Sequence, residues 1–325
     1  MKNVISVIIP NYNGIKFMPA LFKSLEAQTF SNFDVIVVDN ASNDGSVEWL
    51  KSKRCKLIEL DKNYGFSYAC NLGAKISSGG ALFFLNSDTQ LDRLCIAMLA
   101  KSLIQFPSCG FFAPKMVQLH ERDLLDGVGD IFPRDGRPAK RGDGMKSAVP
   151  FSEEIFSPCG GAGLWRKNVF ESLGGFDEDF FAYLEDVDLG FRARLVGVRG
   201  RYVPQAVVYH LGGGVRSKGK IAEKRGRDSP AVVRWVARNK IWLWAKCLPA
   251  LVFIRLLPFL IFGLLKSAFH HTFRSKAGLS FVTGTIEGII GLPRMLKKRR
   301  VIQRWKKAND KEIYRWIIRM SRSSW

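Results

Sequence analysis

Short β-branched runs alternate with amphipathic stretches through the first part of the chain, and the alternation lays out the elements. Val4 to Ile9 predicts a buried strand, with Pro10-Asn11-Tyr12-Asn13-Gly14 as the turn out of it. Phe17 to Thr29 fits a helix carrying Phe17, Leu21, Phe22 and Leu25 on one face. Asp34 to Asp39 is a second strand, Asp44-Gly45-Ser46 caps a helix from Val47 to Lys53, and Leu57 to Leu60 is a third strand. A helix over Phe66 to Ile76 and a strand over Ala81 to Leu85 follow, then, further on, a helix from Glu185 to Leu195 and a strand from Tyr202 to Tyr209. Strands alternating with helices predict an α/β fold: a mixed, mostly parallel sheet covered by helices on both faces.

Two carboxylate clusters stand at the ends of apolar runs: Asn86-Ser87-Asp88 after Ala81 to Leu85, and Glu185-Asp186-Val187-Asp188 after Phe180 to Leu184. An unpaired charge at the mouth of a buried strand is costly, so acids in such places hold cations or move protons. Together the clusters suggest a metal site facing a catalytic base. Ligands of open α/β sheets bind beyond the carboxyl ends of the strands, where Asn11, Asp39 and Asp88 fall; each of these taken alone is also an ordinary turn or cap residue. Neither a dinucleotide-binding glycine fingerprint nor a Walker A sequence is present. Adjacent helical positions point about 100° apart, so one of Glu185 and Asp186 is expected to face the substrate. Asp188 lies four residues before Arg192, the spacing of an intrahelical ion pair. His210 ends a strand before Gly212-Gly213-Gly214, which suits a metal or phosphate contact, although a lone histidine is often a core residue. Gly160-Gly161-Ala162-Gly163 leaves room for a sugar, and Trp165 is placed either to stack on one or to pack in the core. Asp126 to Val149, rich in Gly, Asp, Arg and Lys, reads as a mobile loop or hairpin near the acceptor.

The series Val7-Ile8-Ile9-Pro10-Asn11-Tyr12-Asn13, Val37-Val38-Asp39-Asn40-Ala41-Ser42-Asn43-Asp44-Gly45-Ser46, Asn63-Tyr64-Gly65-Phe66, Leu85-Asn86-Ser87-Asp88 and Gly174 through Leu189 resembles family-2 glycosyltransferases of the GT-A fold. The likeness is greatest to the bacterial rhamnosyltransferase-like branch and covers about residues 4 to 215. It implies that Pro10, Asn11, Asn13, Asp39, Asn63, Gly65, Asn86, Asp88 and Arg216 bind a nucleotide-diphosphate-sugar donor. Within that set Asp39 would accept a hydrogen bond from a pyrimidine or ribose, and Arg216 with Lys218 would close over the diphosphate. It further implies Mg2+ or Mn2+ at Asp88 and His210, Asp186 as general base, and an acceptor contact or orienting role for Glu185, with Gly161 and Trp165 beside the acceptor. Asn86 stands where the family usually has the first acid of Asp-x-Asp, which leaves Asp88 as the one clear carboxylate ligand. The implied activity is inverting single displacement, with rhamnosyl transfer from dTDP-rhamnose the leading donor. Residues 1–110 form the implied donor half and 111–215 the acceptor and catalytic half. From another class, a non-catalytic nucleotide-sugar-binding or scaffold protein of a glycan assembly is weighed against this; Glu185-Asp186 argues for catalysis, since a binder needs no base.

Composition changes the picture mainly at the tail. The net charge of +21 lies wholly beyond His210, where 26 basic residues face 5 acidic ones, against 24 and 24 before it. A neutral body with a basic tail points to an anionic surface. Cys247 to Leu265 is apolar except for Arg255 and contains Pro249 and Pro258. A charge at the centre of a span costs about 2.5–3.5 kcal/mol, so an interfacial or re-entrant helical hairpin is expected. Lys297 to Arg300, Arg304, Lys306 and Lys307, with Trp305 and Trp316 nearby, read as a polybasic amphipathic anchor for acidic lipids. Basic clusters also bind nucleic acid, but no nucleic-acid motif accompanies these charges and the apolar segments beside them favour a membrane as the partner over DNA or RNA. Residues 216–325 are thus expected to be a membrane-associated helical region, dispensable beyond Arg238 for folding and donor binding. Scattered cysteines and the lack of an export signal predict a cytoplasmic address, peripheral or monotopic on the inner (plasma) membrane, with a glycan or polyprenyl-diphosphate-linked acceptor.

Overall fold

The computed structural model describes residues 5–148, 151, 153–211 and 229–322. In chain order the elements begin β1 (Ile5–Asn11), α1 (Met18–Glu26), β2 (Phe33–Asp39), α2 (Ser46–Lys51), β3 (Lys56–Glu59), α3 (Phe66–Ile76) and β4 (Ala81–Leu85). Next come β5 (Thr89–Leu91), α4 (Cys95–Gln105), β6 (Cys109–Gln118), β7 (Leu125–Gly127), β8 (Asp130–Ile131), β9 (Ala139–Lys140) and β10 (Ala162–Arg166). The rest are α5 (Lys167–Ser172), a 3-10 turn at Glu178–Phe180, α6 (Glu185–Leu195), β11 (Arg199–His210), α7 (Pro230–Cys247), α8 (Ala250–Phe273), α9 (Gly278–Ile290), α10 (Leu292–Trp305) and α11 (Asp310–Arg322).

One sheet runs β3-β2-β1-β4-β10-β6-β11-β5, with β7 added beside β6. β1, β2, β3 and β4 are mutually parallel, β10 is antiparallel to β4 and β6, and β11 is parallel to β6. The mixed, mostly parallel sheet expected of the α/β pattern is therefore present, and it continues unbroken across residue 110. Alternation along the strands sorts the core. Ile5, Val7 and Ile9 of β1 pack with Met18, Leu21 and Leu25 of α1 and Leu99 of α4. On the opposite face Ile8, Leu82, Phe84 and Phe111 meet residues of α3, α5 and α6. Register then aligns the chemistry: Asn11 is opposite Asp39, and Asn86 follows the end of β4 next to Gly161 at the start of the reversed strand β10.

β1 reaches Asn11, so Pro10 and Asn11 belong to the strand rather than the turn. β4 pairs with β1 only as far as Ile8, and the missing N–H of Pro10 falls beyond that ladder. The all-reduced reading of the cysteines fits six free thiols, five of them buried.

The tail departs most from expectation. No hairpin forms inside Cys247 to Leu265: the chain breaks at Leu248-Pro249, and α8 then continues for 24 residues through Pro258. This helix is long and apolar enough to cross a membrane by length and composition. α7 is not an appendage, because Trp242, Leu243, Trp244, Cys247 and Leu248 share a core with Phe132, Phe156, Phe180 and Phe191. The polybasic run is likewise partly spent internally. Lys298 Nζ reaches Asp177 and Asp179 at 2.5 and 2.7 Å, and Arg299 donates to the carbonyls of Ala245 and Leu248. Trp316 lies under the Arg194 guanidinium and near Phe156, so it braces the domain instead of anchoring it.

Candidate active site

The loops after β1 and β2 are knitted together by short polar side chains. Asn11 Nδ2 donates to Asp39 Oδ2 at 2.7 Å, Ser42 Oγ donates to the same oxygen at 2.7 Å, and the Ser42 N–H donates to Asp39 Oδ1 at 2.8 Å. Asn13, in the left-handed region at φ 53°, bonds to Ser42 through its backbone N–H and accepts from the Asn43 N–H. Asp39 is completely enclosed. With its oxygens accepting three hydrogen bonds from the chain, one at Oδ1 and two at Oδ2, it braces the two loops. Asn63 caps the next turn by accepting from the Gly65 N–H. Gly65 has φ 92°, and a side chain there would strike the backbone and ring of Phe181, so this glycine is required by the approach of a second loop.

Beyond β4, Asp88 and His210 meet. The Nε2 of His210 lies 3.2 Å from Asp88 Oδ1, and its Nδ1 lies 2.8 Å from Asp126 Oδ2. Asp126 also pairs with Lys140 Nζ at 2.5 Å. Burial opposes a charge on the imidazole, but the two carboxylates outweigh it and lift His210 to about 9. The same contacts hold Asp88 and Asp126 below the ordinary carboxyl range in spite of burial. Asp126 and Lys140 come from β7 and β9. The segment read as a mobile loop or hairpin takes the hairpin form and makes a wall of the site, built from β7 and the β8–β9 hairpin.

The second acidic cluster opens α6. The backbone N–H of Gly160 donates to Asp186 Oδ2 at 2.6 Å, and the Val187 N–H donates to Oδ1 at 2.7 Å. Glu185 is buried, and its Oε2 has no hydrogen-bond partner. Burial drives its carboxyl well above the usual range, and the neighbouring Asp186 adds to the effect. Burial also raises Asp186, with the two N–H donors only partly offsetting it. A methyl group on Gly160 would lie 3.1 Å from Asp186 Oδ2 and 3.2 Å from Glu185 Oε1. Both carboxylates therefore reach one glycine, where helical spacing suggested that a single one would. Behind them Asp130 accepts from Ser157 Oγ and is pushed well up by burial and by Asp186. Asp188 does pair with Arg192, at 2.7 Å, and is also held by Lys246 at 2.6 Å.

Gly160 and Gly161 join the two clusters. Gly161 sits where a side chain would come within 3.5 Å of Asn86 Nδ2, 3.6 Å of His210 Cε1 and 2.9 Å of Met116. Successive glycines thus face the base side and the cation side. Tyr183 also belongs here: it is 43% exposed, and burial together with the charges of Glu185 and Asp88 raises its hydroxyl. Trp165 does not. Its ring is buried against Phe111 on the sheet face covered by α5 and α6, so it cannot stack on a sugar. Arg216 and Lys218 lie outside the described residues. Asp126, Asp130 and Lys140 escaped sequence reasoning because they sit in an irregular segment with no period, although its density of acids was visible.

Residues 6–165 match the family model described as Glycosyl transferase family 2. The chain is 26% identical over 237 residues to an N-acetylglucosaminyl-diphospho-decaprenol L-rhamnosyltransferase of Mycobacterium tuberculosis, an alignment covering 65% of this chain and 76% of that one. Its fold is similar to that of S. aureus TarS 1–349 in complex with UDP-GlcNAc, with a TM-score of 0.58 and 19% identity over 99% of this chain and 92% of the other. It is also similar to the mannosyltransferase PcManGT from Pyrobaculum calidifontis in complex with GDP-Man and Mn2+, with a TM-score of 0.53 and 16% identity over 95% and 89%. With the strand-end motifs, the mixed sheet and the paired acidic clusters in register, residues 6–165 belong to glycosyl transferase family 2, the fold is GT-A, and the chain resembles the rhamnosyltransferase-like members.

Proposed function

We propose that this glycosyltransferase moves a sugar, with L-rhamnose from dTDP-rhamnose the leading candidate, onto a hydroxyl of a polyprenyl-diphosphate-linked glycan with inversion at the anomeric carbon. The observation that carries the reading is the Gly160-Gly161 turn, which holds Glu185 and Asp186 against one residue and approaches His210 and Asn86 with the next. A sugar seated at these glycines has a proton acceptor on one side and the cation pair on the other. Asp186 takes the acceptor hydroxyl proton as the oxygen bonds to the anomeric carbon, while the bond from that carbon to the diphosphate breaks. Burial raises the pKa of Asp186 and so makes it a stronger base, and the two N–H donors fix its orientation. Glu185, buried and partly unpartnered, is available to orient the acceptor.

The donor set suits Mg2+ or Mn2+. Asp88 Oδ1 and His210 Nε2 are 3.2 Å apart. These two residues would hold the ion, which would neutralise charge on the leaving diphosphate. The cation in the PcManGT complex and the UDP-sugar in the TarS complex support these assignments.

The lipid-linked acceptor is supported by the decaprenol named for the mycobacterial relative and by the surface beside the site. Leu251, Ile254, Phe262 and Leu265 of α8, with Leu279, Ile286 and Ile290 of α9, are exposed. An apolar patch of this kind suits a membrane. The β8–β9 hairpin is seated on α7 and on the buried side of α8: Leu260 of α8 lies against Gly136, and Trp244 Nε1 of α7 donates to the Gly136 carbonyl at 2.9 Å. The hairpin that borders the site is thus held by the helix that carries the apolar face, which suits monotopic docking at the cytoplasmic face of the plasma membrane.

Asp186→Asn tests the reading. It should cut turnover by about 100-fold or more while leaving nucleotide-sugar affinity intact. Wild-type turnover in that variant refutes the base assignment.

A further inference from the structure

The segment that delivers the catalytic carboxylates is held in an unfavourable backbone conformation. Phe181, Tyr183 and Leu184 have φ of 64°, 72° and 67°, and none is a glycine. Residues with side chains rarely occupy this region, and such conformations persist only where surrounding structure imposes them. The imposing element lies in the tail. Asn239 of α7 is completely buried, and its Nδ2 donates to the carbonyls of Phe180, Ala182 and Tyr183 at 3.0, 2.9 and 2.8 Å. Its Oδ1 accepts from Arg238 Nε at 2.9 Å, which fixes the amide with its nitrogen toward the loop. Arg238 also donates to the Phe180 carbonyl at 2.9 Å. One helical turn earlier, Trp235 packs on Phe181 at 5.0 Å and stacks on Tyr183 at 6.2 Å.

We propose that α7 is the template for the Phe180–Leu184 loop, with Asn239 as the positioning residue that aims Glu185 and Asp186 at the acceptor. The Phe180 carbonyl also accepts from Arg238 and from the Ala182 N–H, so the carbonyls that depend on Asn239 are those of Ala182 and Tyr183, and its two N–H groups meet them. Aspartate in its place would set acceptor against acceptor, and leucine would remove this donor from both carbonyls. The loop also touches the donor side, where the Phe181 carbonyl accepts from the Ser67 N–H and Phe181 blocks any side chain at Gly65. Its placement therefore sets the distance between donor and base. The proposal rests on the catalytic reading of Glu185 and Asp186.

The test compares Asn239→Ala with Asp186→Asn in the full-length protein, measuring turnover, nucleotide-sugar affinity and hydrogen exchange by peptide. The expected result for Asn239→Ala is faster exchange confined to residues 178–186 and a turnover loss of about 100-fold, the scale of a small misplacement of catalytic groups. Donor affinity and exchange in β1 and β4 should stay as in the wild type. Unchanged exchange in 178–186, or full turnover despite a loosened loop, overturns the proposal; so does exchange accelerated across the whole sheet, which marks Asn239 as merely structural. Should Asn239→Ala not fold, Trp235→Leu is read by the same criteria, with the same expected and refuting outcomes. If Asp186→Asn keeps its turnover while Asn239→Ala shows the confined exchange and the turnover loss, the template stands and the base assignment falls.

Discussion

Replacing Lys246 by methionine removes the most deeply buried cation of the structure's acidic network. Its Nζ lies 2.5 Å from Asp177 and 2.6 Å from Asp188, and the side chain is 1% exposed, so solvent screens little of the interaction. Removing one partner of a buried pair costs about 3–5 kcal/mol, because the remaining charge is stranded. Asp188 keeps Arg192 and Asp177 keeps Lys298, which places the expected loss near the lower end, about 3 kcal/mol. With a urea slope of about 1–3 kcal/mol per molar, the midpoint of unfolding should fall by about 1–3 M. Asp177→Asn added to Lys246→Met should restore part of that loss. The same accounting makes a chain ending at Arg238 unable to fold. It lacks Trp242, Leu243, Cys247, Leu248, Val252 and Leu256 of the shared core, each contributing about 1.5–3 kcal/mol, against a typical total stability of about 5–15 kcal/mol. A midpoint shift too small to measure for Lys246→Met, or cooperative unfolding of the truncated chain, refutes the view that α7 is integral to the catalytic domain.

Asp126→Asn should weaken Mn2+ binding by about 10–100-fold in calorimetry, since the carboxylate fixes the His210 ring through Nδ1; undiminished affinity dissociates Asp126 from the site. His210 has its folded pKa raised from 6.5 to about 9, so its contribution to stability is complete below about 6.5 and is lost as pH rises through 9. Thermal melts in chelator should therefore fall across that window for the wild type and be flatter for His210→Gln, and parallel curves contradict the bridge. Leu257→Glu with Phe262→Glu, both on the exposed face of α8, should reduce flotation with anionic vesicles at high as well as low salt without lowering the melting temperature; flotation abolished by salt alone in the wild type argues against apolar docking.

Much of the site was legible because its signals are local. The β-branched runs, the strand-end acids, α3 and α6 follow from period and composition, and the resemblance ordered them into one fold. Asp88 and His210 were paired on that basis, and the structure brings them together. What escaped was set by tertiary contact. Trp165 and Gly161 are four residues apart, yet Gly161 stands before β10 beside Asn86, while the indole lies well inside the strand, packed on Phe111. That Asn11 and Ser42 both donate to Asp39 and tie the first two loops together is likewise invisible in the sequence. In the tail, hydropathy does register α8 as an apolar helix. It cannot show that Asn239 and Lys246 point into the catalytic domain, since a buried amide or amine counts in a hydropathy window only as a loss of apolar character.

The division of charge between a neutral body and a basic tail therefore serves two ends. Lys246, Lys298 and Arg294 lie against Asp177, Asp179 and Asp188, acids of the same short stretch that carries Glu185 and Asp186. At Asp177 burial pushes the carboxyl upward, but Lys246 and Lys298 reverse the push and hold it well below the usual range. Where the tail supplies no cation, as at Glu185 and Asp186, the shift remains upward, and among the described residues neither forms an ion pair. One acidic segment thus holds an ionised anchor at Asp177, which the tail reaches, and proton-accepting groups at Glu185 and Asp186, which it does not. The cations left exposed, among them Arg255, Lys266, Lys276, Lys297 and Arg300, remain free to meet an anionic surface beside the apolar helices. The tail can then tie membrane contact to the active site, because the helix bundle that carries the apolar face also provides the Asn239 and Lys246 contacts on which the loop before the base depends.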